Sequence, residues 1–409
     1  MREIAYLFER FPSFGQTFCY REVAELERQG TKVHVFSIRH PSAEPPQEWD
    51  EELVRQIHYL PEENVLVSEV DRALREGRVS LATRQAVQTW GRQTDFLRLY
   101  QAVYIGLRLQ EYGLKQVHAH FAGMAARTAF WIERFFGITF SFTAHANDIF
   151  APRDFSISLE KLMERATAVV TVSDFSARFL RDRFAAHAAK VHRVYNGIDL
   201  ACFRLADFQG AVPGVISVGR LIEKKGFGDL ITACGLLVAR GLKFTCDIIG
   251  EGPLHESLQS QIERAGLDHC VKLVGPQSQE QIAARFASAM VFALPCTREL
   301  DGGMDNLPTV IMEAMAAGLP VVSTPLAGVP EMVERDLNGQ LIPEHDPGAL
   351  ASAIEDFLRQ PQRARELGQR GREIARQKFS IETSAQSLRA LFDRTLLLHE
   401  QRVRCEMET

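Results

Sequence analysis

Residues 301–333, DGGMDNLPTVIMEAMAAGLPVVSTPLAGVPEMV, decide how the rest of the chain is read. The stretch opens as a glycine- and acid-rich loop and continues as a helix. Leu307, Val310, Ile311, Ala314, Met315 and Gly318 recur on one face at helical spacing. Asn306 or Asp305 is placed to cap that helix, and Pro308 suits its first turn, where a missing N–H is no loss. Gly318 ends it, and Val321-Val322-Ser323 follows as a buried strand. Asp305 in the loop and Glu313 in the second turn bracket the helix start. Free N–H groups and a partial positive charge at a helix N-terminus suit a phosphate, and carboxylates beside it suit sugar hydroxyls. The stretch therefore suits a nucleotide sugar. The same residues also fit an ordinary core helix with one acidic surface residue, and on this stretch alone both readings stand.

A chain of 409 residues exceeds one ordinary core, so two domains are expected. Hydrophobic content of 46% and charged content of 24% belong to a globular protein. Residues 1–200 carry 25 basic and 25 acidic side chains, which places the whole net charge of −5 in the second half. That balance argues against nucleic acid as a partner, because a phosphate backbone demands a basic surface. The seven cysteines (19, 202, 234, 246, 270, 296 and 405) are scattered, with no CxxC pair. They predict buried thiols in a reducing compartment, with neither a disulfide framework nor a zinc site. The first residues read as a strand with no basic-then-apolar leader, and no apolar run reaches membrane-spanning length. The expected location is the cytoplasm.

Going back to the start, Ile4–Phe8 is predicted as a strand, followed by a turn containing Gly15 and Gln16, a helix to Gly30, and a strand over 33–38. Strand, glycine-containing turn, helix, strand is the unit of a doubly wound α/β fold. GxGxxG is absent, so NAD is not implied. Gly15 is suited to close approach of a ligand, or simply to a tight turn. Residues 72–110 carry seven arginines against Glu76 and Asp95, interleaved with Trp90, Phe96, Tyr100 and several leucines. They predict two or three helices with a basic side, which fits either an anionic membrane surface or a solvated helical face. Strands over 117–121 and 140–145 end near His120 and His145. Those ends are where open α/β sheets bind ligands, and His145, followed by Asn147 and Asp148, is the better candidate. Neither His118 nor His120 has an acid or thiol nearby in sequence to complete a metal site, so none is expected. Strands over 168–173 and 191–195 close this half, and residues 200–213 read as a linker.

The second half repeats the rhythm. A strand over 214–219 leads into Arg220-Leu221-Ile222-Glu223-Lys224-Lys225-Gly226, where Arg220 and Lys225 are two long cations suited to a diphosphate. A solvated basic turn fits them too. Strands over 245–249, 271–275 and 291–295 follow, the first running into Gly250-Glu251-Gly252-Pro253. Residues 346–400 read as helical and polar.

Two Rossmann-like halves carrying these motifs resemble the GT-B glycosyltransferases, and within them glycosyltransferase family 4. The resemblance rests on Gly219-Arg220 to Lys225-Gly226, Gly250-Glu251-Gly252-Pro253 and Asp305 to Gly318. ERFPSFGQTF and FTAHANDIF look like the bacterial exopolysaccharide subgroup. The resemblance implies an acceptor-binding domain over 1–205, a nucleotide-sugar-binding domain over 206–380 and a terminal helix over 381–409 returning to the first domain. It implies that Arg220 and Lys225 neutralise the leaving diphosphate, that Glu313 holds the ribose hydroxyls, and that His145 lies near the donor sugar. Asp305 stands at the first position of the family's paired-glutamate motif, one methylene shorter, which bears on the choice of sugar. Gly15 and Gln16 match the loop that reaches the phosphates, and Gly219, Gly252, Asn306 and Leu307 complete the expected donor contacts.

The implied reaction is retaining transfer from a nucleotide sugar to a saccharide or lipid-linked saccharide, with no metal or other cofactor. It would proceed by front-face attack, in which stabilising the leaving diphosphate matters more than a protein nucleophile. Its setting would be bacterial polysaccharide synthesis at the inner face of the plasma membrane. Two other readings remain on the sequence: an epimerase or hydrolase acting on the same donor, and a non-catalytic sugar-nucleotide-binding subunit, motivated by Asp305 and Gln16.

Overall fold

Short strands that are apolar on both faces need helices on each side, and a covered parallel sheet follows. The strand Thr139–Ala144 illustrates the demand, with all six residues buried. The computed structural model describes residues 2–41, 49–90, 96–150, 155–208 and 213–408. Within them lie two sheets whose paired strands all run parallel.

The first sheet contains β1 (Arg2–Arg10), β2 (Thr31–Arg39), β3 (His58–Tyr59), β4 (Gln116–His120), β5 (Thr139–Ala144), β6 (Ala168–Thr171) and β7 (Val191–Arg193), in the order β3-β2-β1-β4-β5-β6-β7. The second contains β8 (Gly214–Val218), β9 (Thr245–Ile249), β10 (Val271–Gly275), β11 (Val291–Leu294), β12 (Val321–Ser323) and β13 (Gly339–Leu341), in the order β10-β9-β8-β11-β12-β13. Strand order reverses between β1 and β4 in one sheet and between β8 and β11 in the other. Ligands of doubly wound folds bind beyond strand ends at such reversals. This is a two-domain α/β fold of the GT-B kind. The edge strands β3 and β13 escape the sequence pattern because His58-Tyr59 and Gly339-Gln340-Leu341 are short and form no apolar run.

The carboxy-terminal helices tie the halves together. Pro347–Arg359 and Pro361–Lys378 lie in the second half, and Ile381–Glu408 crosses back to the first. Ala385, Leu388, Leu391 and Phe392 are buried in one cluster with Tyr6, Val23 and Leu26. The guanidinium of Arg389 donates to the carbonyl of Gln29 at 2.9 Å.

The arginine-rich stretch forms the helices Glu63–Arg75, Leu81–Trp90 and Phe96–Glu111, and its polar side is less free than its composition suggests. Arg78 and Arg108 both pair with Glu111 at 2.9 Å, Arg84 donates to the carbonyl of Leu74, and Arg98 is buried. The Tyr100 hydroxyl donates to Asp71, and Trp90 packs against Trp131. Glu111 stands just outside the stretch, so its composition hides the acid that pairs with Arg78 and Arg108. Arg92 and Asp95 lie outside the described residues, as do residues 42–48.

Candidate active site

The site begins where β8 ends. Glu223–Lys225 makes one turn of 3₁₀ helix, and Gly226 closes it at φ +67°, where a Cβ would stand 1.9 Å from the carbonyl oxygen of Pro295. Only glycine fits, and the turn is thereby pinned to the end of β11. Gly219 plays a second part, since the stem of Lys225 lies over it, 3.2 Å from where a Cβ would be. The Lys225 ammonium is delivered onto the carboxylate of Asp305, and the Lys224 ammonium stands 3.6 Å from the other carboxylate oxygen. Burial works against charge on both partners. Attraction wins, holding Asp305 below the usual carboxylate range and Lys225 above the usual lysine range. Lys224 also donates to Asn147 Oδ1 at 3.3 Å, which joins this cluster to the end of β5 on the first domain.

Glu313 lies in the helix Thr309–Ala316, which begins later than its sequence suggests. Its N-cap is Pro308, with no side-chain cap, so neither Asp305 nor Asn306 caps it. Asp305 is held by the lysines. Asn306 instead accepts a hydrogen bond from Ser173 of the first domain at 2.6 Å, leaving its buried Nδ2 unpartnered among the described residues. Gly318, at φ +73°, ends the helix in the left-handed conformation, with the amides of Gly318 and Leu319 bonded back to Met315 and Ala314.

The domains also meet through an ion pair that sequence reading misses. Arg21 Nη1 donates to Glu313 Oε1 at 2.9 Å, with side chains 9% and 10% exposed. Nε and Nη2 of Arg21 are buried and have no partner among the described residues. Nearby, Glu331 accepts from the backbone amides of Asp174 and Phe175, both at 2.8 Å, and from the Tyr195 hydroxyl at 3.0 Å. An acid of one domain thus caps the N-terminus of the helix Asp174–Arg183 in the other.

His120 and His145 stand at the ends of β4 and β5, where their neighbours among the described residues are first-domain side chains, Phe8, Phe18, Cys19, Glu22 and Phe121 among them. His120 Nε2 lies 3.0 Å from Glu22, His120 Nδ1 lies 3.4 Å from His145 Nε2, and Cys19 Sγ is 3.5 Å from the same Nδ1. Glu22, His118 and His120 offer ligand atoms within 4.8 Å of one another. An acid and a thiol therefore do reach the histidines, delivered by the helix Thr17–Arg28, which corrects the argument from sequence spacing. Both nitrogens of His118 are already engaged, by Ser141 at 2.8 Å and Thr143 at 2.9 Å.

Other expected residues sit apart from this contact set. Arg220 is exposed, and its side chain has no ion pair or hydrogen bond among the described residues, although its carbonyl accepts from the Ile222 amide at 2.8 Å. Leu307 is 5% exposed, so its side chain belongs to the core. Among the described residues a Cβ on Gly15 would meet nothing within 4 Å, so no contact with them requires glycine there. Gly252 would place a Cβ 2.5 Å from the carbonyl of Leu221, so its smallness serves packing of the two strand-end loops. Gln16 lines a cavity of about 580 Å³ on the first domain, with Glu9, Arg10, Phe121, Arg127 and Asp148. The missed residues left one faint signal. Glu22 falls between Cys19, Val23 and Leu26 on the buried face of its helix, and a charge in an apolar stripe needs a partner.

Residues 15–201 match the sequence model described as Glycosyltransferase Family 4, and residues 208–374 match that of glycosyl transferases group 1. The amylovoran biosynthesis glycosyltransferase AmsK of Erwinia amylovora is 45% identical over 140 residues, 34% of this chain and 34% of its own length. The putative colanic acid biosynthesis glycosyltransferase WcaL of Salmonella typhimurium is 36% identical over 202 residues, 49% of this chain and 50% of its own. The matched stretches thus span a third to a half of these relatives. Among solved structures, Anabaena HepE in complex with UDP superposes with a TM-score of 0.69 at 20% identity, over 96% of this chain and 100% of that one. At that identity the likeness concerns the fold. No helix among the described residues is long and apolar enough to cross a membrane.

Proposed function

We propose that the chain, matched by the two glycosyltransferase family models, is a GT-B glycosyltransferase of family 4 that moves a sugar from a nucleotide-sugar donor to a saccharide or lipid-linked saccharide in exopolysaccharide synthesis. The observation that carries this reading is the cluster of Lys224, Lys225 and Asp305 beyond the end of β8, joined through Asn147 to the segment that carries His145. An ammonium has three donors, so Lys225 can keep its bond to Asp305 and still offer protons to a diphosphate. Asp305 would fix the cation and accept from a sugar hydroxyl, and Arg220 would swing in from its exposed turn. Glu313 keeps an oxygen beyond the one bonded to Arg21, suited to the ribose hydroxyls. HepE was crystallised with UDP, and with UDP-glucose, which supports a nucleotide sugar as donor.

Transfer would retain configuration. The acceptor oxygen bonds to the anomeric carbon as the bond to the diphosphate breaks, and the departing phosphate oxygen takes the acceptor's proton. The protein's part is to stabilise the charge on that oxygen. Positive charge from lysines and arginine serves this without a metal. The acceptor would enter along the 580 Å³ cavity, whose carboxylates and aromatic rings suit a saccharide. Any approach to an anionic membrane would be electrostatic, through the exposed Arg72 and Arg75, because Trp90 and Tyr100 face inward.

A thermal-shift panel of nucleotide sugars tests the reading, since a ligand that binds only the folded chain raises its Tm. One nucleotide sugar is expected to raise Tm by several degrees, and Lys225→Ala to abolish the shift. No response across the uridine, guanosine, thymidine and cytidine series would overturn it.

A further inference from the structure

Four polar side chains from four separate elements form one buried file ending at His145. The Tyr6 hydroxyl, from β1, donates to Glu22 Oε1 at 2.7 Å, and His120 Nε2, at the end of β4, reaches the same oxygen at 3.0 Å. An ionised carboxylate only accepts, so the proton between Glu22 and His120 sits on Nε2. Nδ1 of His120 then faces His145 Nε2 at 3.4 Å and Cys19 Sγ at 3.5 Å. Among the described residues His145 Nδ1 has no partner in the protein, and His145 keeps 8% of its surface exposed at the end of β5. Two residues on, Asn147 touches Lys224, so this exposed edge belongs to the same cleft as Lys225 and Asp305.

We propose that Glu22 and His120 are positioning residues that fix the tautomer of His145, so that its proton lies on Nδ1 and is offered to the cleft as a hydrogen-bond donor. With an acid on one side, His120 is an imidazolium, and both its nitrogens donate. Nε2–H goes to Glu22, and Nδ1–H goes to His145, whose Nε2 must be bare to accept it. A neutral His145 then carries its proton on the other nitrogen. Titration favours the same arrangement. Burial pulls His120 down, but Cys19 and Glu22 outweigh it and push the group up to about 10. Burial and the neighbouring His120 charge hold His145 well below the ordinary histidine value, so it stays neutral. His118 cannot divert the file, because Ser141 and Thr143 occupy both its nitrogens. Backbone contacts hold the end of the file in place, as the His145 amide donates to Asp148 Oδ2 at 2.9 Å. Without Glu22 the imidazolium loses its counter-charge. A neutral His120 protonated on Nε2 would then accept from His145 Nε2–H, leaving a lone pair where the cleft had a donor. The same ring would repel, instead of bind, a sugar hydroxyl whose one proton is already donated elsewhere. The link to a sugar rests on the transferase reading; the tautomer does not.

The test is two-bond ¹H–¹⁵N correlation on the histidine-¹⁵N-labelled, ligand-free chain at pH 7, with His145 assigned from the signals lost in His145→Asn. The expected pattern is protonated Nδ1 and bare Nε2 in the unaltered protein and in Tyr6→Phe, which keeps the Glu22 charge. Glu22→Gln is expected to move the proton to Nε2, and Glu22→Asp to restore it in part. If the donor is bound, Glu22→Gln should lower kcat on the order of tenfold to a hundredfold, with KM for the acceptor nearly unchanged. A His145 protonated on Nε2 in the unaltered protein overturns the proposal, whatever the activity. So does a Glu22→Gln spectrum with unmoved His145 signals. Should Glu22→Gln fail to fold, the unaltered and Tyr6→Phe spectra decide alone. Absence of any nucleotide-sugar binding would sink the transferase reading and leave the tautomer result standing.

Discussion

The Arg21–Glu313 pair joins residues 292 positions apart across the cleft, with side chains 9% and 10% exposed, so its removal reports on closure of the domains. Removing one partner of a buried pair strands the other charge, at a cost of about 3–5 kcal/mol. Glu313→Gln should pay most of that, because the guanidinium it leaves behind already has two nitrogens unpartnered among the described residues. Arg21→Met strands a carboxylate but also removes those two groups, each of which costs roughly 1–3 kcal/mol when unsatisfied. Its net destabilisation should therefore be smaller, about 1–2 kcal/mol. The double variant removes both charges and should lie closer to the parent than Glu313→Gln does. A coupling energy of about 2 kcal/mol or more is expected from a double-mutant cycle in urea, followed by tryptophan fluorescence. Effects that add within about 0.5 kcal/mol would mean that the two side chains do not meet in solution, and would refute the closed cleft on which the site is built. The pair also alters what Glu313→Gln reports about nucleotide affinity. Stability and affinity fall together, so the ribose contact is measured in the Arg21→Met background.

Lys225→Ala should slow transfer about a hundredfold or more, as loss of one preorganised donor does; turnover near that of the parent would remove the diphosphate assignment. Transfer should continue in excess EDTA, since Lys225, Lys224 and Arg220 supply the positive charge, and activity that returned only with magnesium or manganese would contradict this. The raised pKa of His120 predicts a stability increment that is full below its unfolded value near 6.5 and lost as pH rises through about 10. His118 and His145 shift the opposite way and act below that window. The unfolding free-energy gap between the parent and His120→Gln should therefore shrink across that range, and a gap that stays flat would argue against a charged His120.

The sheets were legible because their strands are buried on both faces and read as continuous apolar runs bounded by glycine or charge. β9, β10 and β12 coincide with the sequence reading residue for residue. Lys225 and Asp305 were legible as candidates because each follows a strand end. Their contact was not, since 80 residues separate them and nothing local encodes the approach. The capping role expected of Asn306 failed for a similar reason: a partner in the other domain, Ser173, competes for its side chain. Arg21 and Glu331 were invisible as site residues, and Glu22 nearly so, because each sits in a helix or turn and acquires its role only when the domains, or the strands behind them, come together. The basic stretch misled in the opposite direction. Its charge was counted without Glu111, which stands one residue beyond its end and pairs with Arg78 and Arg108.

The most direct measurement follows the sugar itself. The nucleotide sugar that raises Tm, labelled in its sugar, is incubated with the chain and a lipid-linked saccharide extract, and both the nucleotide and the extract are analysed by mass spectrometry. The expected result is an acceptor heavier by one sugar residue and an equal amount of nucleoside diphosphate, both appearing only when acceptor is present and both lost in Lys225→Ala. Release of free sugar or of an isomerised donor at the same rate without acceptor would contradict the account.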